Sequence, residues 1–436
     1  MAANKRIYLC LAHMSDAGLE QKYIKEAFDT NWVVPLGPNV NGFEHDLEEF
    51  VNENDNRNKK LSKRVVALSS GTAAVHLALL NCGVQPGDEV CVQSFTFCAS
   101  SHPITYLGAT PVFIDSEKDT WNMDPELLEE AIKDRIAKTG KKPKAIVPVA
   151  LYGMPYNIDR IMEIANRYDI PVIEDAAEGF GSRWKGQVLG TFGKYGVLSF
   201  NGNKMITTSG GGALITENED EWREIMMYAT QYRESYPYYQ HEKIGFNYRM
   251  SNICAGIGRG QMTVANDHIA HHKKVQKMYE ELLAGVPGIT VHSQPNLNLN
   301  DSQNQNTPVY DSNYWLCTIT LDPDIKIKGQ ENAYKTIVNG AVGGAAGVIH
   351  VADSATTDCQ PNENVEALRV FMDAAGIEAR PVWKPMHKQP VYKNAPAYVN
   401  GVSEAVFKVG MCLPAGPYVT DEDVKYIVES IKAAII

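Results

Sequence analysis

The chain has no long apolar run near its start, no surplus of positive charge and no closely paired cysteines, and each absence removes a class of protein. The apolar stretch Ile7 to Ala12, behind Lys5 and Arg6, is too short for a signal-peptide core or a membrane span, so a cytoplasmic protein is expected. A formal net charge of -11 and a pI near 5.5 speak against nucleic acid or an anionic membrane as partner, because both are met by basic surfaces. Small anionic ligands stay open, since a few local groups suffice for them. The eight cysteines are scattered from Cys10 to Cys412 without metal-type spacing, which points to idle, reduced thiols. No Gly-x-Gly-x-x-Gly follows a strand-like run, which argues against a nicotinamide-dependent oxidoreductase; Gly256, Gly258 and Gly260 have no strand before them and read as positions of close helix packing. His268, His271 and His272 share a helical spacing, but Lys273 and Lys274 adjoin them. They read as a solvated helix face, and no metal is expected.

What is present is enough for more than one core: 436 residues, 44% of them apolar, predict a large and a smaller domain. Between Val65 and Phe200 short apolar runs alternate with helical patterns. They cover Val65 to Ser69, Glu89 to Ser94, Pro111 to Asp115, Ala145 to Val149, Pro171 to Glu174 and Gly196 to Phe200. Continuous rather than alternating apolarity marks strands covered on both faces, so the fold class is α/β, a mostly parallel sheet flanked by helices. A long helical pattern from about Ala255 to Leu283 follows, and the expected division is a large domain over 1–260 and a small α+β domain over 261–436. Two polar or small-residue stretches, near 295–312 and 339–361, read as insertions in the latter.

Three short segments carry chemistry. After the first strand, Gly71 and Thr72 open a helical pattern, and a strand-turn-helix junction of this kind offers free N–H groups and a positive dipole end to a phosphate; from these residues alone an ordinary helix cap is the preferred reading. The fifth apolar run ends in Glu174, Asp175 and, three residues on, Glu178. Acids at strand ends face the ligand crevice of an open α/β sheet, although Asp is also a common N-cap. The sixth run is followed by Asn201-Gly202-Asn203-Lys204, a lysine among small polar residues, where an amine can be made nucleophilic by desolvation and neighbouring charge. Together these are the three parts a pyridoxal phosphate site requires: a phosphate cradle, a carboxylate for the ring nitrogen and an amine for the Schiff base.

With these residues the sequence resembles the DegT/DnrJ/EryC1/StrS sugar-nucleotide aminotransferases, within the fold type of aspartate aminotransferase. The resemblance runs from Asn31 to Pro417 and includes Ser199 to Lys204, Asn247 to Asn252 and Arg380 to His387. It implies pyridoxal 5'-phosphate as cofactor, Lys204 and Asp175 as catalytic residues, and Gly71, Thr72, Phe97, Glu178, Ser199 and Asn247 as further cofactor contacts. Phe97 would stack on the ring, Glu178 would sit near its phenolic oxygen in place of the Gln or His of many relatives, and Asn247 would reach the neighbouring subunit's phosphate in a homodimer with shared sites. Asn31, Trp32, Val33, Val34, Arg380, Pro381, Val382 and Trp383 would line the nucleotide-sugar pocket. Within the family the sequence is most similar to UDP-N-acetylbacillosamine-pathway transaminases, which implies glutamate as donor and C4 of a nucleotide-linked 4-keto-6-deoxy sugar as acceptor, UDP-2-acetamido-2,6-dideoxy-hexos-4-ulose, for surface-glycan biosynthesis. GDP-4-keto-6-deoxymannose and dTDP-linked keto sugars are the alternatives. Ala415 stands where relatives usually carry Ser.

Overall fold

The computed structural model describes residues 6–53, 63–299, 307–334 and 359–436. Seven segments build the central layer: β1 (Arg64–Leu68), β2 (Glu89–Gln93), β3 (Thr110–Ile114), β4 (Ile146–Val147), β5 (Ile173–Asp175), β6 (Tyr195–Ser199) and β7 (Gly212–Thr216). β1, β7, β6 and β5 lie side by side in that order, as do β3, β2 and β4. The two groups meet where β4 and β5 touch through the parallel bridges Ile146–Val172 and Val149–Asp175. Within this layer β7 alone runs antiparallel to its two neighbours. It is a strand that the sequence pattern does not announce, because the glycines Gly210 and Gly211 in front of it read as a turn.

Successive residues of a strand point to opposite faces, and here both faces are apolar. Val65 and Ala67 of β1, Val112 and Ile114 of β3 and Ala213 and Ile215 of β7 belong to one core. Val66, Leu68, Phe113 and Leu214 belong to the other. A one-residue slip would exchange the two sets, so the register is strongly specified.

The single helix anticipated from Ala255 to Leu283 is two, Asn252–Met262 and Ala265–Leu283. The break falls at Thr263-Val264, a β-branched pair, and the Thr263 hydroxyl donates back to the Gly260 carbonyl at 2.6 Å, a local bond that competes with helix continuation. The glycines of the first helix do serve close packing: a Cβ on Gly258 would meet the Phe43 ring at 2.7 Å and one on Gly260 the Glu20 main chain at 2.5 Å. The histidines are not the solvated face expected of them. His268 and His272 are buried, 6% and 0% exposed, because the helix is covered on that side, and they bond the Met205 and Tyr314 carbonyls at 3.2 and 3.1 Å.

Residues beyond the break form an antiparallel sheet of β8 (Ile289–Val291), β9 (Cys317–Leu321), β10 (Arg380–Pro381) and, beyond β11 (Ala397–Tyr398), β12 (Gly410–Leu413), in the order β8-β9-β12-β10. Its core joins Ile319 and Met411 to Tyr279, Leu368 and Ile427 of the surrounding helices. Ile7, far away in sequence, packs in this same core and bridges Ile377. β11 returns to the large layer and pairs in parallel with β3. Of the two insert stretches, residues 300–306 and 339–358 lie outside the described residues; the end of the first, Tyr310–Asp311, is a strand paired with Arg183–Trp184. No helix among the described residues is long and apolar enough to cross a membrane.

Candidate active site

β1, β5 and β6 end on the same side of the central layer, since two antiparallel pairings return β1 to the direction of β6. The segments behind these ends converge on a cavity of about 320 Å³, whose lining includes Ser70, Gly71, Thr72, Ser199, Asp175, Glu178, Lys204, Trp315 and Trp383. Ligand crevices of open α/β sheets lie at this place.

The turn after β1 is a phosphate cradle in form. Ser70 caps the helix Gly71–Asn81, its hydroxyl accepting from Ala73 N–H at 3.0 Å, while the N–H groups of Gly71 and Thr72, in the first turn, have no helical acceptor. Gly71 has no room to spare: a Cβ there would stand 3.1 Å from the Ser199 Cβ. Gly212 lets β7 pass the turn, since a Cβ on it would meet the Gly71 nitrogen at 2.4 Å.

At the amine end, Lys204 Nζ lies 3.4 Å from Glu178 Oε1 and 4.0 Å from the centroid of the Trp315 ring, a cation–π placement. The Trp315 indole N–H donates to the Asn203 carbonyl at 2.7 Å and thereby holds the lysine's own segment. Asp175 is tied from two sides: Oδ2 accepts the Ser100 hydroxyl at 2.6 Å and Oδ1 the Ala177 N–H at 3.2 Å. Burial pushes its carboxyl above the ordinary carboxylate range, against the pull of Ser100, Ala177 and the Lys204 charge. Glu178 is raised too, again first by burial, with the Lys204 charge the largest opposing influence. Its second oxygen accepts the Tyr152 N–H at 2.8 Å.

These distances bring Lys204, Glu178, Gly71, Thr72, Ser199 and Asp175 around one cavity, together with Phe97, which is 50% exposed with its ring 5.5 Å from that of Trp383. Other residues named from the sequence lie elsewhere. Asn31 to Val34 do not line the cavity; their main chain hangs on Asn252, whose Nδ2 and N donate to the Trp32 and Val34 carbonyls at 2.9 Å each. Arg380 pairs with Glu378 at 2.7 Å, Pro381 pairs with Met411 in the small sheet, and Val382 is 2% exposed in the core. Asn247 is exposed, bridged to Thr230. Sequence inspection overlooked Ser100, Tyr152 and Trp315, which carry no local motif and reach the site only because the fold delivers them.

The donor set fits pyridoxal phosphate. First-turn N–H groups and Ser199 suit its phosphate, a buried carboxyl suits its ring nitrogen, and an amine held at an acid suits its aldehyde. Sheet order, the acid on β5 and the lysine behind β6 define a pyridoxal-phosphate-dependent aminotransferase of the aspartate-aminotransferase fold type. The chain belongs to the DegT/DnrJ/EryC1/StrS aminotransferase family, whose pattern matches residues 15–324 and 344–432. It is 40% identical over 430 residues, 98% of this chain and 95% of the relative, to EpsN of Bacillus subtilis (strain 168), provisionally named a pyridoxal phosphate-dependent aminotransferase. It is 32% identical over 424 residues, 97% of this chain and 98% of the relative, to GDP-perosamine synthase of Escherichia coli O157:H7. Among solved structures, a DegT DnrJ EryC1 StrS aminotransferase from Brucella abortus superposes with a TM-score of 0.76 at 26% identity, covering 96% of this chain and 95% of that one.

Proposed function

We propose that this sugar aminotransferase moves an amino group from glutamate to C4 of a nucleotide-linked 4-keto-6-deoxy hexose, UDP-2-acetamido-2,6-dideoxy-hexos-4-ulose, and works as a homodimer. Glutamate leaves as 2-oxoglutarate, and the C4 carbonyl oxygen of the sugar is replaced by the nitrogen that glutamate gave up. The observation that carries the reading is the Lys204 amine, 3.4 Å from Glu178, in the same cavity as Asp175 and the Gly71-Thr72 turn.

When bound, pyridoxal phosphate supplies an electron-accepting ring that stabilises charge at the donor carbon. The chain supplies the rest. Lys204 Nζ is a base and acid on a short tether, able to take a proton from the donor carbon and return it elsewhere. Asp175, fixed by Ser100 and Ala177, would hold the ring nitrogen and favour its protonated form. Glu178 orients the amine; burial raises its carboxyl above the ordinary value, and the Lys204 charge pulls the other way. The Asn247 side chain, exposed on this protomer, would complete the phosphate site of a second copy.

A GDP-linked 4-keto-6-deoxymannose is the second reading, favoured by the GDP-perosamine synthases, which match at 32% identity over nearly the whole chain. A relative named for a UDP-linked 3-oxo sugar acid matches at 34% over 59% of the chain. Assaying UDP-, GDP- and dTDP-linked 4-keto sugars with glutamate, with mass spectrometry of the amino sugar, decides between them. Turnover of the UDP sugar at least ~10-fold above the others in kcat/KM is expected; preference for GDP reverses the assignment, and no turnover of any removes it.

A further inference from the structure

Tyr152 lies in the wall behind the amine, and the steps above give its side chain no task. It sits in the short turn Leu151–Gly153 after β4, with a main-chain φ of 54°, a left-handed conformation that side chains disfavour. Two bonds hold it there. Its N–H donates to Glu178 Oε2 at 2.8 Å, and the other oxygen of that carboxylate meets Lys204. Its hydroxyl oxygen accepts the main-chain N–H of Trp383 at 2.8 Å. One residue thus spans the amine-bearing floor and the loop that brings Trp383 over the cavity.

The remaining ties of that loop lie to either side. Val382 N–H donates to the Gly410 carbonyl at 3.2 Å, within the small sheet, and Met386 N–H to the Ser94 carbonyl at 2.8 Å; His387 N–H donates to the Ser94 hydroxyl at 3.2 Å. Between them the peptide of Trp383 is held by the Tyr152 hydroxyl. The Trp383 ring stands 5.5 Å from Phe97 and 6.0 Å from Tyr152, and its buried indole N–H has no partner among the described residues.

We propose that Tyr152 is a positioning residue for the sugar half of the reaction. Its hydroxyl sets the Trp383 peptide, and so the indole, against the sugar nucleotide. Its main-chain N–H sets Glu178 for both halves and survives a change of side chain. A donor as small as glutamate occupies the amine end, whereas a nucleotide sugar extends to the Trp383 wall. The inference rests on the reading that this wall receives the sugar nucleotide.

The Tyr152→Phe holoenzyme tests it. The glutamate half-reaction, followed by the visible absorbance of the cofactor, is expected to stay within about threefold of wild type, while KM for the keto sugar rises about tenfold and kcat stays within about threefold. Hydrogen exchange at the Trp383 amide, which does not depend on any substrate, is expected to speed up about tenfold. Trp383→Phe keeps that amide and its protection but raises the sugar KM, and the double variant shows less than the product of the two penalties. Unchanged exchange in the Val382–His387 segment, or a glutamate half-reaction that falls as far as the sugar half, overturns the proposal. If the wild-type enzyme turns over none of the three nucleotide sugars, the substrate reading fails by itself, and the exchange and glutamate measurements still judge the tether.

Discussion

At the amine end of the cavity, Asp175, Glu178 and Lys204 are nearly buried and each is held by named partners; in the Asn31–Val34 segment named for the substrate, Trp32, Val33 and Val34 stand 40%, 49% and 39% exposed. The first region is built on strand ends, and small misplacement there costs rate because proton transfer depends on reach. The second is built on connecting chain, where residues change without disturbing the sheet. The reactive groups thus stand on the part of the molecule that the sheet holds, and the segment proposed to meet the substrate stands on the part that tolerates variation.

The comparison breaks first at Lys204. Lys204→Ala is expected to lower turnover at least ~10⁴-fold with the fold intact, and borohydride is expected to fix the cofactor covalently to Lys204 in the wild-type protein and to leave no adduct on the variant by peptide mass spectrometry. Full turnover in the variant would end the mechanism.

Asp175→Asn is the next largest effect, a loss of about 10²–10³-fold in kcat for both half-reactions, because the amide cannot balance a protonated ring nitrogen. The same change is expected to stabilise the cofactor-free protein slightly. Burial raises the Asp175 carboxyl, so the folded chain keeps this proton to higher pH than the unfolded chain. The unfolded chain then binds fewer protons, and stability falls as pH climbs from the ordinary carboxylate range through the folded value. Calorimetric midpoints should show the variant about 2 °C above wild type at pH 8 and level with it near pH 4; a variant less stable at pH 8 contradicts this sign.

The smallest effect is expected in the Asn31–Val34 segment. Trp32→Ala should raise KM for the nucleotide sugar about 3- to 10-fold and alter kcat less than about twofold, as loss of binding common to ground and transition states does. A large fall in kcat would erase the distinction between the two regions.

Much of the amine end was legible beforehand because its signals are local. Asp175 ends an apolar strand, Lys204 stands five residues past another, and Gly71-Thr72 opens a helix directly after a third; strand ends of a parallel layer must meet on one edge, so neighbours in this pattern become neighbours in space. The histidines of the helix Ala265–Leu283 failed the same treatment. Their local pattern is polar, and only the covering segments, which contribute Met205 and Tyr314, show that they are inside.

The sequence by itself determined the layered α/β architecture, the cradle, the acid and the lysine, since apolar periodicity and residue chemistry act over a few positions. Tertiary structure alone decided that Ser100 would fix Asp175, that Trp315 would lie beneath Lys204, and that Tyr152 would hold both Glu178 and the Trp383 loop. Those contacts join residues tens to hundreds of positions apart, and such pairs are selected by packing of whole layers, which no short stretch of chain encodes.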